Sequence, residues 1–455
     1  MSSPRRVPLL LVLAAALLVV GVLSALAKKG DNSHLPSALA LNGRAESTAL
    51  YCTGFSDQKL GASGRVIFLN TTNQSHLVTI DDVSDTGDAT SKEVTLRAYQ
   101  QFGFDPSAGM HGDYFGVGAQ VSGGGVVGVQ VTRRHTSEAP CISTGVTDWF
   151  GAGFDTTVGS SAVLSVYNPT ATPAVFNVST FSSSGYVAPA KFQGYAVGPH
   201  SQAEIHLGTE IVNLKDVGVH VRVLRGTLDI VGLQQSGPTV SFNPGVNHAA
   251  TSAIFPLVTT ANNATAQIRL SNPGPTPANV TLTVTLAPFH VPNQTLTVPP
   301  YGSTVASITP NPAIPAGIAS VVMSSSQPVV AALATGTGND VALSAPQSPE
   351  PEFLVGDFTG NGFDDVTLTN TSSRSISVSV VSLPVSRSGQ PRTAQIRLSA
   401  NSSQTLRSEF PTDPRLRGAD VIVAAPRASP PALLVTATLP TRPAGMTVVS
   451  GLDGR

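Results

Sequence analysis

The stretch Arg65-Val66-Ile67-Phe68-Leu69-Asn70-Thr71 is an apolar run that stops at an asparagine. β-Branched and aromatic residues favour a strand, and asparagine favours a turn because its side chain bonds nearby backbone groups. Three later stretches repeat this pattern, at Val163–Pro169, Gln267–Pro273 and Val366–Thr371. Their asparagines, Asn70, Asn168, Asn272 and Asn370, are separated by 98, 104 and 98 residues. The chain is therefore predicted to contain four copies of a unit of about a hundred residues.

Further β-like runs recur at fixed places in each copy. A second run follows each asparagine after a short turn, and in two copies proline ends the first run, so the spacing predicts a hairpin there. A late strand begins some sixty residues beyond each asparagine. The second runs are 77–80, 175–181, 280–286 and 376–381, and the late strands are 126–131, 228–233, 329–333 and 433–435.

Units of this length, with short strands and frequent turns, are typical of a two-sheet antiparallel sandwich of immunoglobulin-like size. The predicted fold is all-β, with four tandem immunoglobulin-like β-sandwich modules after one N-terminal transmembrane or signal helix. The predicted ranges are 1–29 for that helix and 44–137, 138–240, 253–340 and 353–441 for the modules. Stretches 239–252 and 341–352 have the composition of linkers, so the first two modules are expected to pack as a rigid pair and the later ones to be hinged.

The composition excludes several classes of protein. Charged residues are 12% and hydrophobic residues 41% of the chain, which is not the composition of a disordered protein. The 26 basic and 27 acidic residues nearly cancel, so the chain carries no basic field that would attract nucleic acid.

The N-terminus predicts export. Arg5 and Arg6 precede an uncharged apolar stretch, residues 7–27, which is long enough to cross a bilayer as a helix. The small residues Ala25 and Ala27 also suit a signal-peptidase site. Two outcomes stay open: a retained membrane anchor with the rest of the chain extracytoplasmic, or secretion after cleavage.

The cysteines agree with export. Cys52 and Cys141 are the only two in the chain, and an even count in an exported protein predicts a disulfide. Because these residues lie near the starts of the first two copies, the bridge is expected to tie those two modules together.

One segment resembles a known family. Trp149-Phe150-Gly151-Ala152-Gly153, the later Tyr167-Asn168-Pro169-Thr170, and Cys141 before them resemble a motif block of an uncharacterised family of actinobacterial membrane-anchored extracellular proteins. The resemblance is best over residues 139–240. It implies an extracellular location and β-sandwich repeats, and it implies no active site.

A candidate calcium loop precedes the strand of the fourth copy. Asp357, Thr359, Asn361 and Asp365 place side-chain oxygens at positions one, three, five and nine, with glycine at six, as in calcium-binding loops. The acid expected at position twelve is absent, because Leu368 stands there. Since Asp148–Asp155 has the same skeleton without the middle donors, the alternative is a structural turn shared by two copies. No other cofactor is expected.

Other chemical candidates are weaker. No zinc, nucleophile-elbow or phosphate-loop motif occurs. The glycine run 122–125 is predicted to be a hairpin turn, and His111 to lie in a surface loop. If the chain were an exported hydrolase, the first carboxylates to test would be Asp81, Asp82, Asp85 and Asp113.

The functional expectation is therefore a non-catalytic cell-envelope protein. Its modules would contact a protein or a polysaccharide outside the membrane, with no role in nucleic-acid binding. The alternatives are a structural spacer without a specific ligand and an exported hydrolase or accessory factor in envelope polymer assembly.

Overall fold

The structure of the chain is a computed structural model, and it is all-β. It describes residues 47–56, 64–132, 137–237, 239–259, 265–286, 289–309, 311–315, 318–337, 340–347, 352–355, 365–382, 392–400, 402–405, 421–424, 433–438, 448–450 and 452–453. The predicted N-terminal helix, residues 1–29, and its apolar stretch 7–27 lie outside these ranges.

The first repeat consists of eight strands in two antiparallel sheets. Its strands are β1 Ser47–Ser56, β2 Gly64–Asn70, β3 His76–Ser84, β4 Ala89–Leu96, β5 Gln101–Phe104, β6 Tyr114–Ser122, β7 Val126–Thr132 and β8 Glu138–Pro140. One sheet has the order β1-β6-β3-β4 and the other β5-β2-β7-β8. Alternate residues of both sheets, among them Phe68, Ile80 and Phe115, share one buried core.

The second repeat has the same plan. Its strands are β9 Asp148–Phe154, β10 Ser160–Asn168, β11 Ala174–Ser182, β12 Gly185–Val187, β13 Tyr195–Val197, β14 Ser201–His206, β15 Val217–Arg225, β16 Asp229–Ser236 and β17 Thr239–Asn243. Two single-turn 3-10 helices interrupt them, at Ala190–Phe192 and Leu207–Thr209. The sheets run β12-β11-β15-β9, with β13 also on β11, and β14-β10-β16-β17.

In the third repeat one long strand takes part in both layers. The strands are β18 Ala250–Thr259, β19 Thr265–Ser271, β20 Ala278–Leu286, β21 Phe289–His290, β22 Gln294–Val298, β23 Ser303–Thr309, β24 Ile318–Thr337 and β25 Asp340–Ser344. The first half of β24 pairs with β18 and β20, and its second half pairs with β19 and β25. The long strand therefore takes the place of two consecutive strands in the other repeats.

The fourth repeat follows the same strand order. Its strands are β26 Glu352–Val355, β27 Asp365–Asn370, β28 Ile376–Ser382, β29 Arg392–Leu398, β30 Ser402–Thr405, β31 Val421–Ala424, β32 Leu433–Thr438, β33 Val448–Ser450 and β34 Leu452–Asp453. They form the sheets β29-β28-β31-β26-β34 and β30-β27-β32-β33. The chain thus contains tandem β-repeats of one topology.

This topology differs from that of an immunoglobulin domain. In an immunoglobulin constant domain the first two strands lie in one sheet and the third, sixth and seventh in the other. Here β1 and β4 lie with β3 and β6, whereas β7 lies with β2, so the first, fourth and seventh strands lie in different sheets from their immunoglobulin counterparts. The predicted two-layer build agrees with the structure, while the immunoglobulin-like strand arrangement does not.

The predicted hairpin at each asparagine is wrong. β2 and β3 do not pair with each other, because β2 bonds to β5 and β7 and β3 bonds to β4 and β6. The same separation holds for the corresponding strands of the other repeats. At each asparagine the chain therefore crosses from one sheet to the other. Strand periodicity is the same on both sides of a hairpin and of a crossing, so it does not distinguish them.

The glycine run 122–125 is also a crossing and not a hairpin turn. It joins β6 to β7, which lie in opposite sheets. Gly123, Gly124 and Gly125 all have positive φ, between 71° and 85°, which residues with a Cβ rarely adopt. The ring of His76 covers this crossing, with Nδ1 2.8 Å from the carbonyl oxygen of Ser122.

Several short strands fall where a boundary or a linker was expected. β8 begins after the expected boundary at residue 137, yet it pairs with β7 of the first repeat. β17 lies within the expected linker 239–252 and pairs with β16, and most of β25 lies within 341–352 and pairs with β24. Edge strands of three to five residues show no clear alternation, which is why the sequence does not reveal them.

Candidate functional site

The four repeat asparagines occupy equivalent positions, at the end of β2, β10, β19 and β27. Each is completely buried. In each, Oδ1 accepts a hydrogen bond from the backbone N–H two residues later, over 2.9–3.0 Å. In three of them Oδ1 also accepts the hydroxyl of that residue, which is Thr72, Thr170 or Ser372.

The other end of each amide binds two separate stretches of backbone. Nδ2 donates to the carbonyl oxygen four residues later, over 2.6–2.8 Å. It also donates to a turn some thirty residues away, at the carbonyls of Arg97, Gly198, Val298 and Ser399. One buried side chain thus bonds the backbone of its own crossing and the backbone of a second turn, and so holds the two segments together.

That second turn contains a strained residue in three repeats. Tyr99, His200 and Tyr301 have positive φ, of 55°, 43° and 51°. Each donates its backbone N–H to the carbonyl oxygen two residues after the repeat asparagine. A positive φ costs free energy in a residue other than glycine. The contacts with the crossing therefore maintain this conformation.

The disulfide joins Cys52 to Cys141, but it does not link the first two repeats as expected. Cys52 lies on β1 in one sheet of the first repeat. Cys141 directly follows β8, and its N–H donates to Gly128 on β7 in the opposite sheet. Both sulfurs lie in the core of the first repeat, so the bridge connects the two layers of one repeat where the chain leaves it. A disulfide indicates an oxidising, extracytoplasmic compartment.

The candidate calcium loop lies mostly outside the described residues. This applies to Asp357, Thr359 and Asn361, whereas Asp365 is the first residue of β27. The related segment Asp148–Phe154 in the second repeat is strand β9 and not a turn leading into one. Among the described residues no group of three or more His, Cys, Asp or Glu side chains could hold a metal ion.

The carboxylates proposed for a hydrolase have different surroundings in the first repeat. Asp85 Oδ1 accepts the backbone N–H groups of Asp113 and Tyr114, over 2.9 and 3.3 Å. Asp82 is only 3% exposed, and burial, with a smaller contribution from Asp105, raises its pKa to about 8. Asp81, which precedes Asp82 on β3, is exposed.

His111 lies at the surface, in the predicted loop. Its ring Nδ1 is 3.1 Å from Asp88 Oδ2, and both side chains are largely exposed. The backbone N–H of His111 bonds to the same carboxylate, and these bonds lower the pKa of Asp88. These contacts connect residues 88 and 111, and contacts between exposed side chains contribute little to stability.

The first and second repeats meet through a buried polar contact that the sequence analysis did not anticipate. Thr53 Oγ1 on β1 lies 2.7 Å from Ser165 Oγ on β10, and it donates to Gln202 Oε1 on β14 over 3.0 Å. All three side chains are at most 5% exposed. Gln202 also donates to Ser165, so the three groups form a closed network.

Glycines on β6 make room for this contact. A Cβ on Gly116 would lie 2.6 Å from the ring of Tyr167, and one on Gly118 would lie 3.1 Å from its hydroxyl. Glycine at alternate positions of a strand often marks a close approach of another chain segment. The sequence Phe115–Val121 carries this signal, which could have identified the contact surface.

A buried carboxylate lies beside the same contact. Asp229, at the start of β16, is 2% exposed, and its Oδ2 has no hydrogen-bond partner among the described residues. Burial raises its pKa well above the usual range, and the N–H of Ile230 partly offsets this. Tyr51 and Tyr167 lie near it, and both have a raised pKa, chiefly because they are buried.

The second and third repeats are also joined, through a partly buried ion pair and a small apolar cluster. Arg269 on β19 makes an ion pair with Asp216, with Nε 3.1 Å from Oδ1, and Nη1 donates to the carbonyl oxygen of Gly153 over 2.6 Å. A small apolar cluster, Ala152 with Val330 and Ala332, adjoins it. This junction therefore differs from the expected hinge.

The described residues contain no helix long and apolar enough to cross a membrane.

Comparisons with known proteins identify a family and a solved structure to which this chain is similar. A family described as "Family of unknown function (DUF5719)" matches residues 125–236, from the end of the first repeat to the end of β16. Over that segment the chain is therefore similar to a family of unknown function, as the resemblance predicted. No curated protein matches.

The similar solved structure is of another protein and is described as "Crystal structure of tetra-tandem repeat in extending region of large adhesion protein". It is 14% identical, and the alignment covers 90% of this chain and 100% of that one, with a TM-score of 0.13. A score this low transfers no detail of fold or function to this chain.

Proposed function

We propose that this chain is a non-catalytic extracytoplasmic protein that holds consecutive β-repeats in fixed relative orientations. The repeats are displayed for contact with a protein or a polysaccharide of the cell envelope. The observation that carries the proposal is the buried network of Thr53, Ser165 and Gln202 between the first two repeats. Separating the repeats would leave Thr53 Oγ1 without these two partners, and Ser165 and Gln202 would keep only each other.

Two further features support a fixed arrangement. Arg269 and Asp216 join the next pair of repeats, and breaking this partly buried ion pair leaves an uncompensated charge. The disulfide fastens the segment that leaves the first repeat, so the connection to the second repeat begins from a rigid point. Both features restrict motion at the places where a multidomain chain would normally bend.

The roles of the carboxylates support a non-catalytic protein. Asp85 is occupied by two backbone N–H groups, and Asp82 is buried in the first repeat. A general acid or base must reach the proton that it transfers. Asp85 instead holds the backbone of Asp113 and Tyr114, and the buried Asp82 is not accessible to a substrate.

The test is a distance measurement between repeats by double electron–electron resonance. Spin labels on Thr90→Cys and Ser183→Cys report on the first junction, and labels on Ser183→Cys and Thr295→Cys report on the second. A pair within the second repeat, Ala171→Cys with Ser183→Cys, is the matched control. The proposal predicts inter-repeat distributions as narrow as the control, and broad distributions would contradict it.

A further inference from the structure

A recess of about 430 Å³ opens at one end of the second repeat. It lies where the β9–β10 loop, the end of β14 and the following 3-10 turn come together. Its lining residues are Thr156, Ser160, Ser161, Ala162, His206, Gly208 and Thr209. The volume falls within the range of about 300–1,000 Å³ found for small-ligand sites.

The walls of the recess are fixed by hydrogen bonds between its two loops. The N–H of Thr156 donates to the carbonyl oxygen of Leu214 over 2.9 Å, and the N–H of Asn213 donates to the carbonyl oxygen of Thr156 over 3.2 Å. Thr156 Oγ1 also accepts the N–H of Leu214. On the opposite wall Thr209 Oγ1 donates to the carbonyl oxygen of His206. A ligand would therefore meet a preformed surface.

The lining is rich in hydroxyl groups and has no carboxylate, lysine or arginine. Within the described part of the chain, no hydrogen bond occupies the side-chain hydroxyls of Ser160 and Ser161, and both residues are partly exposed. A hydroxyl both donates and accepts, so these groups suit a ligand that also presents hydroxyls. A charged ligand would find no side chain of fixed opposite charge here.

Exposed apolar side chains stand on the same two loops. Val158, between Thr156 and Ser160, is 97% exposed, and Val212, close to Leu214, is 68% exposed. When a ligand covers exposed apolar side chains of this kind, the burial of their surface contributes favourable free energy to binding. Sugar rings combine hydroxyls at their edges with C–H groups on their faces, which matches a hydroxyl-lined recess whose loops carry exposed valines.

We propose that this recess binds a neutral oligosaccharide segment. The inference rests on the proposed contact function and names the class of its partner.

Gly208 gives a direct way to test the site. Gly208 lines the recess, a Cβ built on it meets no atom within 4 Å, and its φ lies outside the left-handed region, so a larger side chain would add bulk at this wall without backbone strain. Gly208→Phe should therefore block binding while the fold is kept. Ser183→Phe, on an exposed turn of the same repeat, is the matched control. The double variant Ser160→Ala/Ser161→Ala tests the hydroxyls without adding bulk.

The probes are glucan, mannan, galactan and arabinan hexasaccharides, each titrated to about 10 mM, in the range of weak binding constants. Amide chemical shifts of the full chain are recorded during each titration. At least one probe should shift residues 156–162 and 206–214 saturably. We expect the serine variant to weaken binding about fivefold, as for the loss of hydrogen bonds, and Gly208→Phe to abolish it. Ser183→Phe should bind as the parent does.

Two results would overturn the proposal. One is no saturable shift with any of the four probes. The other is binding that Gly208→Phe leaves unchanged, which would place the sugar elsewhere. Neither result alters the spin-label distances between repeats, so failure of this site is distinguishable from failure of the fixed arrangement.

Discussion

Arg269 of the third repeat and Asp216 of the second form an ion pair across the junction of these repeats, with Nε 3.1 Å from Oδ1. Asp216 adopts a positive φ of 57°, and burial raises the pKa of its carboxyl while Arg269 lowers it. The arginine stem also covers Gly153, where a Cβ would lie 2.6 Å from Cδ. One arginine side chain thus contacts both the close-packed Gly153 and the partly buried carboxyl group of Asp216.

Replacing this arginine should loosen the junction. Arg269→Ala leaves the Asp216 carboxylate without its cation, and we expect a loss of about 2–4 kcal/mol in the free energy of unfolding. The control is Arg225→Ala, an exposed arginine at the end of β15. Urea unfolding measures the loss, and limited proteolysis should cut Arg269→Ala faster between residues 237 and 250. Equal stability of both variants would show that the ion pair does not hold the junction.

The disulfide should be intramolecular and protected. Because both cysteines are completely buried, dithiothreitol should not reduce the bridge under native conditions. The bridge closes a separation of 89 residues, so Cys52→Ser/Cys141→Ser should lower the free energy of unfolding by about 2–5 kcal/mol. Peptide mapping without reductant checks the pairing. Rapid native-state reduction would mean that the bridge does not lie in the core.

Asp82 should make stability depend on pH. Its pKa rises from the ordinary value of 3.8 to about 8 in the fold, so the folded chain binds a proton that the unfolded chain releases. The stabilisation is complete below about pH 4 and declines as the pH rises toward 8, by up to about 1.4 kcal/mol per pH unit. Asp82→Asn should flatten this decline.

Thermal unfolding between pH 4 and 9 measures the effect. Asp81→Asn, at the exposed neighbouring position, is the control and should keep the slope of the parent. Asp229 contributes in the same direction because its pKa is also raised, so part of the slope should remain in Asp82→Asn. A slope that Asp82→Asn leaves unchanged would contradict the assignment.

The repeat asparagines should matter far more than other asparagines in turns. Asn272→Ala removes the acceptor for Gly274 and the donor to Thr276 and to the buried carbonyl group of Val298. We expect a loss of about 2–4 kcal/mol. Asn311→Ala, which removes a single exposed bond to Ala313, should cost less than about 1 kcal/mol. Chemical denaturation compares the two, and similar losses would count against the role of burial.

Strand positions in this chain follow from its sequence. The apolar runs that end at asparagine are strands, and so are the late runs, of which 126–131 lies within β7. Local preference and alternation determine a strand, and both are visible in a short window. The recurrence of Asn70, Asn168, Asn272 and Asn370 likewise points to one repeated structure.

The partners of those strands do not follow from the sequence. Whether β2 pairs with β3 or crosses to the opposite sheet depends on contacts distant in sequence, such as the bond from Asn70 to the carbonyl of Arg97. For the same reason the position of Cys141 near the start of the second copy suggested a bridge between repeats. The short strand β8 carries it back to the first repeat.

The contact residues were missed because their chemistry is ordinary. Thr53 and Ser165 are common strand residues, and only the close approach of the two sheets gives them a role. Gly116 and Gly118 carried a usable signal, since alternate glycines in a strand suggest a surface that another segment covers. Asp229 gave a second signal, because it directly precedes the apolar stretch 230–233.

The most direct test of the repeated asparagine is the hydrogen exchange of its side-chain amide. In a ¹⁵N-labelled chain, single Asn→Asp variants assign the carboxamide signals of Asn70, Asn168, Asn272 and Asn370. We predict that all four exchange slowly with deuterium, because each Nδ2 is buried and donates to two carbonyl groups or more, whereas exposed Asn311 exchanges rapidly. Exchange of any of the four at the rate of Asn311 would contradict a common role for them.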